Sequence, residues 1–178
     1  MQSDLTTAIT ISRARRAEAP QLAKLAATTF IDTFGHLYRP EDLQAFLSNS
    51  RSEQRYLRMI EDARMGLWVA GPDPGAPIGY AVVGPCKLPV EGLESTAGEV
   101  QELYVRSDCH GQQIGTRLLA VALDWLAAER FSPLYVGVWS ENLGAQRLYG
   151  RYGFEKVGEY GFAVGDHVDR EFILKRQG

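Results

Sequence analysis

The sequence is poor in residues that form disulfides or hold metals. It has two cysteines, Cys86 and Cys109, and three histidines, His36, His110 and His167, in 178 residues. Two cysteines are too few for a disulfide framework, and none of the five residues recurs at the spacing of a zinc site. No apolar run approaches the roughly 18 residues that cross a bilayer. The segment from Met1 to Ala8 carries Asp4 and lacks the apolar core of a secretory signal. Basic excess is missing too: 19 Lys and Arg against 22 Asp and Glu leave a formal net charge of -3. That argues against the basic stripe of a nucleic-acid binder. The expectation is a cytoplasmic protein with no metal, membrane or nucleic-acid partner.

What is present is an ordinary globular composition, with 45% apolar and 23% charged residues. The length suits one domain over 1–178, structured from about 9 to 176, with no linker, repeat or low-complexity segment. Ile9 to Ser12 alternates as a strand. Leu22, Leu25, Ala26, Phe30 and Phe34 recur at helical spacing, Pro40-Glu41-Asp42 opens a second helix, and a third covers Ser52 to Arg64. Strands follow at Gly66 to Ala70 and Ile78 to Val83, around a turn rich in Gly and Pro. After a loop from Gly84 to Gly98 comes a strand, Glu99 to Val105, and then a helix striped by Ile114, Leu118, Val121, Ala122, Trp125 and Leu126. A strand at Pro133 to Val138, a short helix at Asn142 to Tyr152, and strands near Glu155 to Phe162 and Val168 to Leu174 complete the chain. The order β-ααα-βββ-α-β-α-ββ predicts an α/β fold, a mixed sheet with helices on both faces. Trp68 and Trp125 are expected in its core.

The junction after Val105 carries the first chemistry. A strand enters a loop holding Gly111 and Gly115, and a helix begins at once. Such a junction aims unpaired backbone N–H groups and the positive end of the helix dipole at one spot, which suits a pyrophosphate. An ordinary strand-to-helix turn remains the alternative on these residues alone. The dinucleotide fingerprint Gly-x-Gly-x-x-Gly and the Walker Gly-Lys-Ser/Thr are both absent.

Leu103-Tyr104-Val105 followed by His110-Gly111-Gln112-Gln113-Ile114-Gly115 resembles motif A of the GNAT acetyltransferase superfamily, usually Gln/Arg-x-x-Gly-x-Gly/Ala. It departs at His110 and at Gln113, where the pattern has a glycine, so the tightness of coenzyme A binding is put in question. Asn142-Leu143-Gly144-Ala145-Gln146-Arg147-Leu148-Tyr149-Gly150-Arg151-Tyr152-Gly153-Phe154 is similar to the superfamily's Asn-x-x-Ala-x-x-(Leu/Phe)-Tyr-x-x-x-Gly-Phe motif at every signature position. The resemblance implies a mixed, mostly antiparallel sheet of about seven strands and an acetyl-CoA-dependent N-acetyltransferase. It implies cosubstrate contacts from Leu103, Tyr104 and Val105, from the loop and helix start His110, Gly111, Gln112, Gln113, Ile114, Gly115 and Thr116, and from Asn142 and Tyr149. Asn142 reads equally well as a helix N-cap.

The chemistry asks for a base, because a primary amine of pKa near 10.4 is protonated at neutral pH. It also asks for a proton donor toward the departing thiolate. No nucleophile-base pair is evident, which favours direct attack in a ternary complex. The resemblance makes Tyr149 the acid; packing alone is the other reading. Glu99, Gln101 and Glu102 are polar residues in a strand expected to be central, where apolar runs are the norm. Glu99 lies six residues before Val105, where the histone-acetylating branch carries its base, and Glu102 is the runner-up. The superfamily also places a β-bulge in this strand, so the faces of these residues stay open. Cys109 and His110 read as a bystander thiol and a solvent-facing imidazole.

A longer resemblance bears on the acceptor. Thr29-Phe30, Thr33-Phe34, Pro40-Glu41-Asp42-Leu43, Gly137-Val138-Trp139, Phe162 and Gly165-Asp166 look like the bacterial Pai-type spermine/spermidine N-acetyltransferases. This implies a small-molecule amine acceptor, a polyamine, with Asp32, Glu41, Asp42, Glu99 and Glu102 available to hold it; a homodimer is compatible. The competing readings are a peptide N-terminus or another small amine as acceptor, and a non-catalytic acyl-CoA-binding module.

Overall fold

The computed structural model describes residues 8–73 and 75–178. The reading of the N-terminal segment, and Pro74 within the expected turn, lie outside the described residues. β1 (Thr10–Arg13) leads to α1 (Ala19–Phe34), α2 (Pro40–Ser50) and α3 (Glu53–Glu61). Then come β2 (Gly66–Gly71), β3 (Gly79–Pro85), β4 (Gly98–Val105), α4 (Ile114–Ala128), β5 (Leu134–Trp139), α5 (Leu143–Arg151), β6 (Phe154–Val164) and β7 (His167–Arg176). This is the order that the periodicity predicts.

Local chemistry sets the boundaries. Pro20 and Pro40 sit in the first turns of α1 and α2, where no intrahelical N–H is needed. The Ser52 hydroxyl caps α3 by accepting the Arg55 N–H at 3.3 Å. α3 stops at Glu61, short of the expected Arg64, because Asp62 takes extended backbone and its carboxylate accepts the Arg64 N–H at 2.9 Å. β6 and β7 overrun their expected ends, since a tight turn through Gly165 (φ +58°) lets the hairpin pair out to Val164 and His167.

The seven strands run β1-β2-β3-β4-β5-β7-β6, and every neighbouring pair is antiparallel except β4 with β5. One face carries α4, whose Leu118, Leu119, Ala122 and Leu126 pack with Ala81, Val83, Val100 and Val136. The other carries α1 and α3, with Leu22, Leu25, Ala26 and Tyr56 against Leu67, Val69, Tyr80 and Val82. Each fully buried leucine contributes about 1.5–3 kcal/mol relative to exposure. Trp68 is buried and meets the partly buried Trp125 edge-on at 5.8 Å, while the Arg13 guanidinium lies over both rings. No helix among the described residues is long and apolar enough to cross a membrane.

Candidate active site

The geometry begins with β4. Val82 of β3 pairs with Glu102 and Val83 with Val100, which leaves Gln101 as an extra residue. This is a β-bulge, and it shifts the alternation of the strand by one. Tyr80 and Val82 face α1 and α3, so their partners Tyr104 and Glu102 do as well. Val83 and Ala81 face α4, and so do Val100 and Leu103. Glu99 pairs with Gly84, two residues from Val82, and joins the face of Glu102.

β4 and β5 pair only at Gly98–Leu134, Glu99–Tyr135 and Val100–Val136. Beyond that, β4 stays with β3 as far as Val105, whereas β5 follows β7 as far as Trp139–Glu171. The strands diverge and open a cleft of about 670 Å³. Its walls include Leu103, Tyr104 and Val105 from β4, Gly137 and Trp139 from β5, and Phe34 from the end of α1.

At the mouth lies the loop into α4. Gly111 has φ +81° with open space where a Cβ would stand, and Gln113 takes the left-handed region at φ +60°. Two such residues two positions apart curl the backbone so that successive N–H groups converge. The first main-chain bond into α4 is Arg117 N–H to the Gln113 carbonyl, so the preceding amides lack an intrahelical partner. The cradle therefore fits the pyrophosphate of coenzyme A: amides and a helix dipole for charge, and an open approach over Gly111. His110, Gly111, Gln113, Ile114, Gly115 and Thr116 all line the cleft, but Gln112 does not. The His110 Nε2 lies 2.8 Å from the Val105 carbonyl, tying loop to strand.

The opposite wall is α5. Asn142 is its N-cap, accepting the Ala145 N–H at 3.0 Å, and it also borders the cleft. Tyr149 lies one turn or more inside the helix, 5% exposed, with its ring edge-on to Phe154 at 5.9 Å. Burial raises its hydroxyl pKa, and the nearby Tyr104 and Glu171 add to the effect. A phenol held protonated can donate but does not ionise unaided.

The acidic residues separate into distinct groups. Glu102 is buried and committed: Arg55 Nη1 stands 2.6 Å from it, Arg51 Nη1 at 3.7 Å, and the Tyr56 and Tyr80 hydroxyls donate to Oε2 at 2.7 and 2.9 Å. Burial alone would raise its pKa, but Arg51, Arg55 and the Tyr56 hydroxyl hold it below the usual carboxylate range. Glu99 is buried outside the lining of the cleft, with Oε2 accepting the Lys87 N–H at 2.8 Å. Burial pushes it up to about 7, against the pull of that N–H. Asp32, Glu41 and Asp42 do not line the cleft either, and Asp42 pairs with Arg39. Glu171, on β7, does line it, and burial beside Asp169 pushes its acid up to about 7. The sequence reading passed over Glu171. Asp169 and Glu171 alternate with Ile173 on one strand face, which is the same polar-among-apolar signal that drew attention to β4.

The profile of the acetyltransferase (GNAT) family matches residues 25–154. An uncharacterized N-acetyltransferase of Lactobacillus delbrueckii subsp. lactis is 25% identical over 170 residues, covering 96% of this chain and 98% of the relative. The fold is shared with PaiA N-acetyltransferase from Thermoplasma acidophilum, solved with coenzyme A, at TM-score 0.75 and 17% identity over 96% and 99% of the two chains. It is shared also with YncA from Salmonella typhimurium, solved with acetyl-CoA, at TM-score 0.72 and 18% identity over 96% and 94%.

Proposed function

The chain belongs to the acetyltransferase (GNAT) family and is an acetyl-CoA-dependent N-acetyltransferase; from that premise we propose that it acetylates a primary amine by direct attack in a ternary complex. The observation that carries this is the divergence of β4 and β5, which brings the amide cradle of α4 and the hydroxyl-bearing Tyr149 to one cleft. The cradle from His110 to Thr116 holds the pyrophosphate, and the unpaired edge of Leu103 to Val105 aligns the acyl arm. Tyr149 donates its proton to the sulfur as the C–S bond breaks, which spares the site a free thiolate. The whole chain acts as one domain.

The acceptor we propose is a polyamine such as spermidine. Its support is the motif likeness along the chain and the fold shared with PaiA, together with one open carboxylate in the cleft. The five acids expected to gather a polycation do not add support, since only Glu102 reaches the cleft and it is ion-paired.

The test is a panel of amines with acetyl-CoA, scored by release of free thiol, alongside a melting curve with coenzyme A. A ligand bound only by the native state raises Tm by mass action. Turnover of spermidine above a simple monoamine is the expected result. Preference for a peptide N-terminus would replace the polyamine, and a Tm shift without turnover of any amine would leave only a binding module.

A further inference from the structure

Any reaction of an ammonium acceptor in this cleft needs a proton sink, and Glu102 and Glu99 are badly placed to be it. We propose that Glu171 is the catalytic residue that takes the proton from the acceptor nitrogen. The proposal deepens the acetyltransferase reading and rests on it.

The position is the first argument. Glu171 pairs with Trp139, the last residue of β5, and on its other side with Tyr160 of β6. It therefore stands where β5 has run out and the gap from β4 is wide. Its neighbour on the same face is a useful contrast. Both oxygens of Asp169 are taken, by the Tyr38 hydroxyl and by His167 Nε2 at 2.9 Å. Glu171 is 9% exposed, yet among the described residues nothing donates a hydrogen bond to its carboxyl. Buried carboxyls are ordinarily satisfied, and one left open inside a cleft is what an ammonium group would complement. The walls agree. Phe34 and Trp139 border the same cleft with their rings edge-on at 5.4 Å, a surface that suits the methylenes of an alkylammonium.

The surrounding groups do not compete for the proton. Facing Glu171 are Tyr38, Tyr104 of β4, Tyr149 of α5, Tyr160 of β6 and Asp169 of its own strand. The four phenols are all raised, chiefly by burial, so none ionises near neutrality. Burial and Asp169 lift Glu171 itself to about 7, in the range that a base working at neutral pH requires. Its charge also raises Tyr149, so the state in which Glu171 can accept is the state in which Tyr149 is held protonated.

The atoms balance simply. An N–H proton of the ammonium passes to Glu171 Oε, and the freed lone pair forms the bond to the thioester carbonyl carbon. The C–S electron pair leaves on sulfur, which takes the Tyr149 proton. The nitrogen, cationic once bonded to carbon, loses a second N–H proton that replaces the one Tyr149 gave to sulfur, and the proton on Glu171 is released to water, so one proton is set free for each amide formed.

The experiment compares wild type with Glu171→Gln, Glu171→Asp and Glu99→Gln, using spermidine and butylamine as acceptors. Coenzyme A affinity is measured by calorimetry and kcat/KM from pH 6 to 10. The expected result is that Glu171→Gln binds coenzyme A as wild type does but loses about 10²-fold or more in kcat/KM at pH 7, the scale of a positioned base. Its rate should recover toward pH 10, where the amine deprotonates unaided. Glu171→Asp should regain part of the loss, which a packing role would not give. Without turnover, 13C NMR of labelled glutamate should show a carboxyl titrating near pH 7 that is missing in Glu171→Gln and shifts downward when spermidine joins the coenzyme A complex. An unchanged pH profile in Glu171→Gln, or loss of the acid limb in Glu99→Gln instead, would overturn the assignment while leaving acetyl transfer intact. Failure of wild type to bind coenzyme A would sink the acetyltransferase reading itself.

Discussion

Glu99 and Glu102 project from the same face of β4 although they are three residues apart, because the bulge at Gln101 adds one residue between them. Their fates still differ. Glu102 meets two guanidinium groups from the junction of α2 and α3, whereas Glu99 meets one backbone N–H and burial pushes its carboxyl up to about 7.

Removing the Glu102 charge should be severe. Glu102→Gln leaves Arg51 and Arg55 without their buried counter-ion, and breaking such a pair costs about 3–5 kcal/mol. Urea denaturation should show the midpoint fall accordingly. A loss below about 1 kcal/mol would mean that Arg51 and Arg55 are solvated in solution.

Stability should decline between pH 5 and 8 through Glu99 and Glu171. Each is raised from an ordinary 4.5 to about 7, so in that window the native state binds more protons than the unfolded chain. The contribution is present below about 4.5 and is lost as pH climbs through 7, by about 3 kcal/mol per group at most. Denaturation of wild type against Glu99→Gln at pH 5 and pH 8 checks this: the variant should gain on wild type at the higher pH. Parallel curves would count against a raised Glu99.

Tyr149→Phe should keep coenzyme A affinity and slow turnover by about 10²-fold or more. Phenylalanine preserves the ring against Phe154, so the fold should not suffer. The measurement is single-turnover acetyl transfer, where chemistry limits the rate. Wild-type rates there would reduce Tyr149 to a packing residue.

The loop into α4 offers a paired test. Gly111→Ala forces a Cβ onto backbone at φ +81°, at a cost of about 1–2 kcal/mol, and should weaken coenzyme A binding by displacing the cradle. Gln113→Gly relieves the left-handed strain at φ +60° and should bind coenzyme A at least as well as wild type. Calorimetry reads both, and tighter binding by Gly111→Ala would contradict the cradle.

Much of this architecture is legible in the chain. The stripe from Ile114 to Leu126, the turn rich in Gly and Pro between β2 and β3, and the Asn142 to Phe154 motif place their elements to within a residue or two. The end of α3 is not legible, because one Asp62 side chain decides it against a helical pattern that could have run on. The acids show the limit more sharply. In sequence, Glu99 and Glu102 look alike and Glu171 is one more acid within a strand. Their differences arise from Arg51 and Arg55 beside Glu102 and from Tyr38 beside Asp169, partners tens of residues away that only the packed fold delivers. Glu171 was nonetheless signalled by its alternation with Ile173.

The parting of β4 from β5 also bears on solubility. Open strand edges invite other chains to pair with them, and proteins ordinarily bulge, charge or cover such edges at the rim of a sheet. Here the open stretch of β4 lies in the middle of the sheet, away from the rim strands β1 and β6, and faces a cleft of about 670 Å³ bordered also by residues of α4 and α5. A slender ligand without side chains can still reach it. The molecule thus keeps a reactive row of main-chain donors and acceptors for its substrate while concealing that row from its own neighbours in a crowded solution.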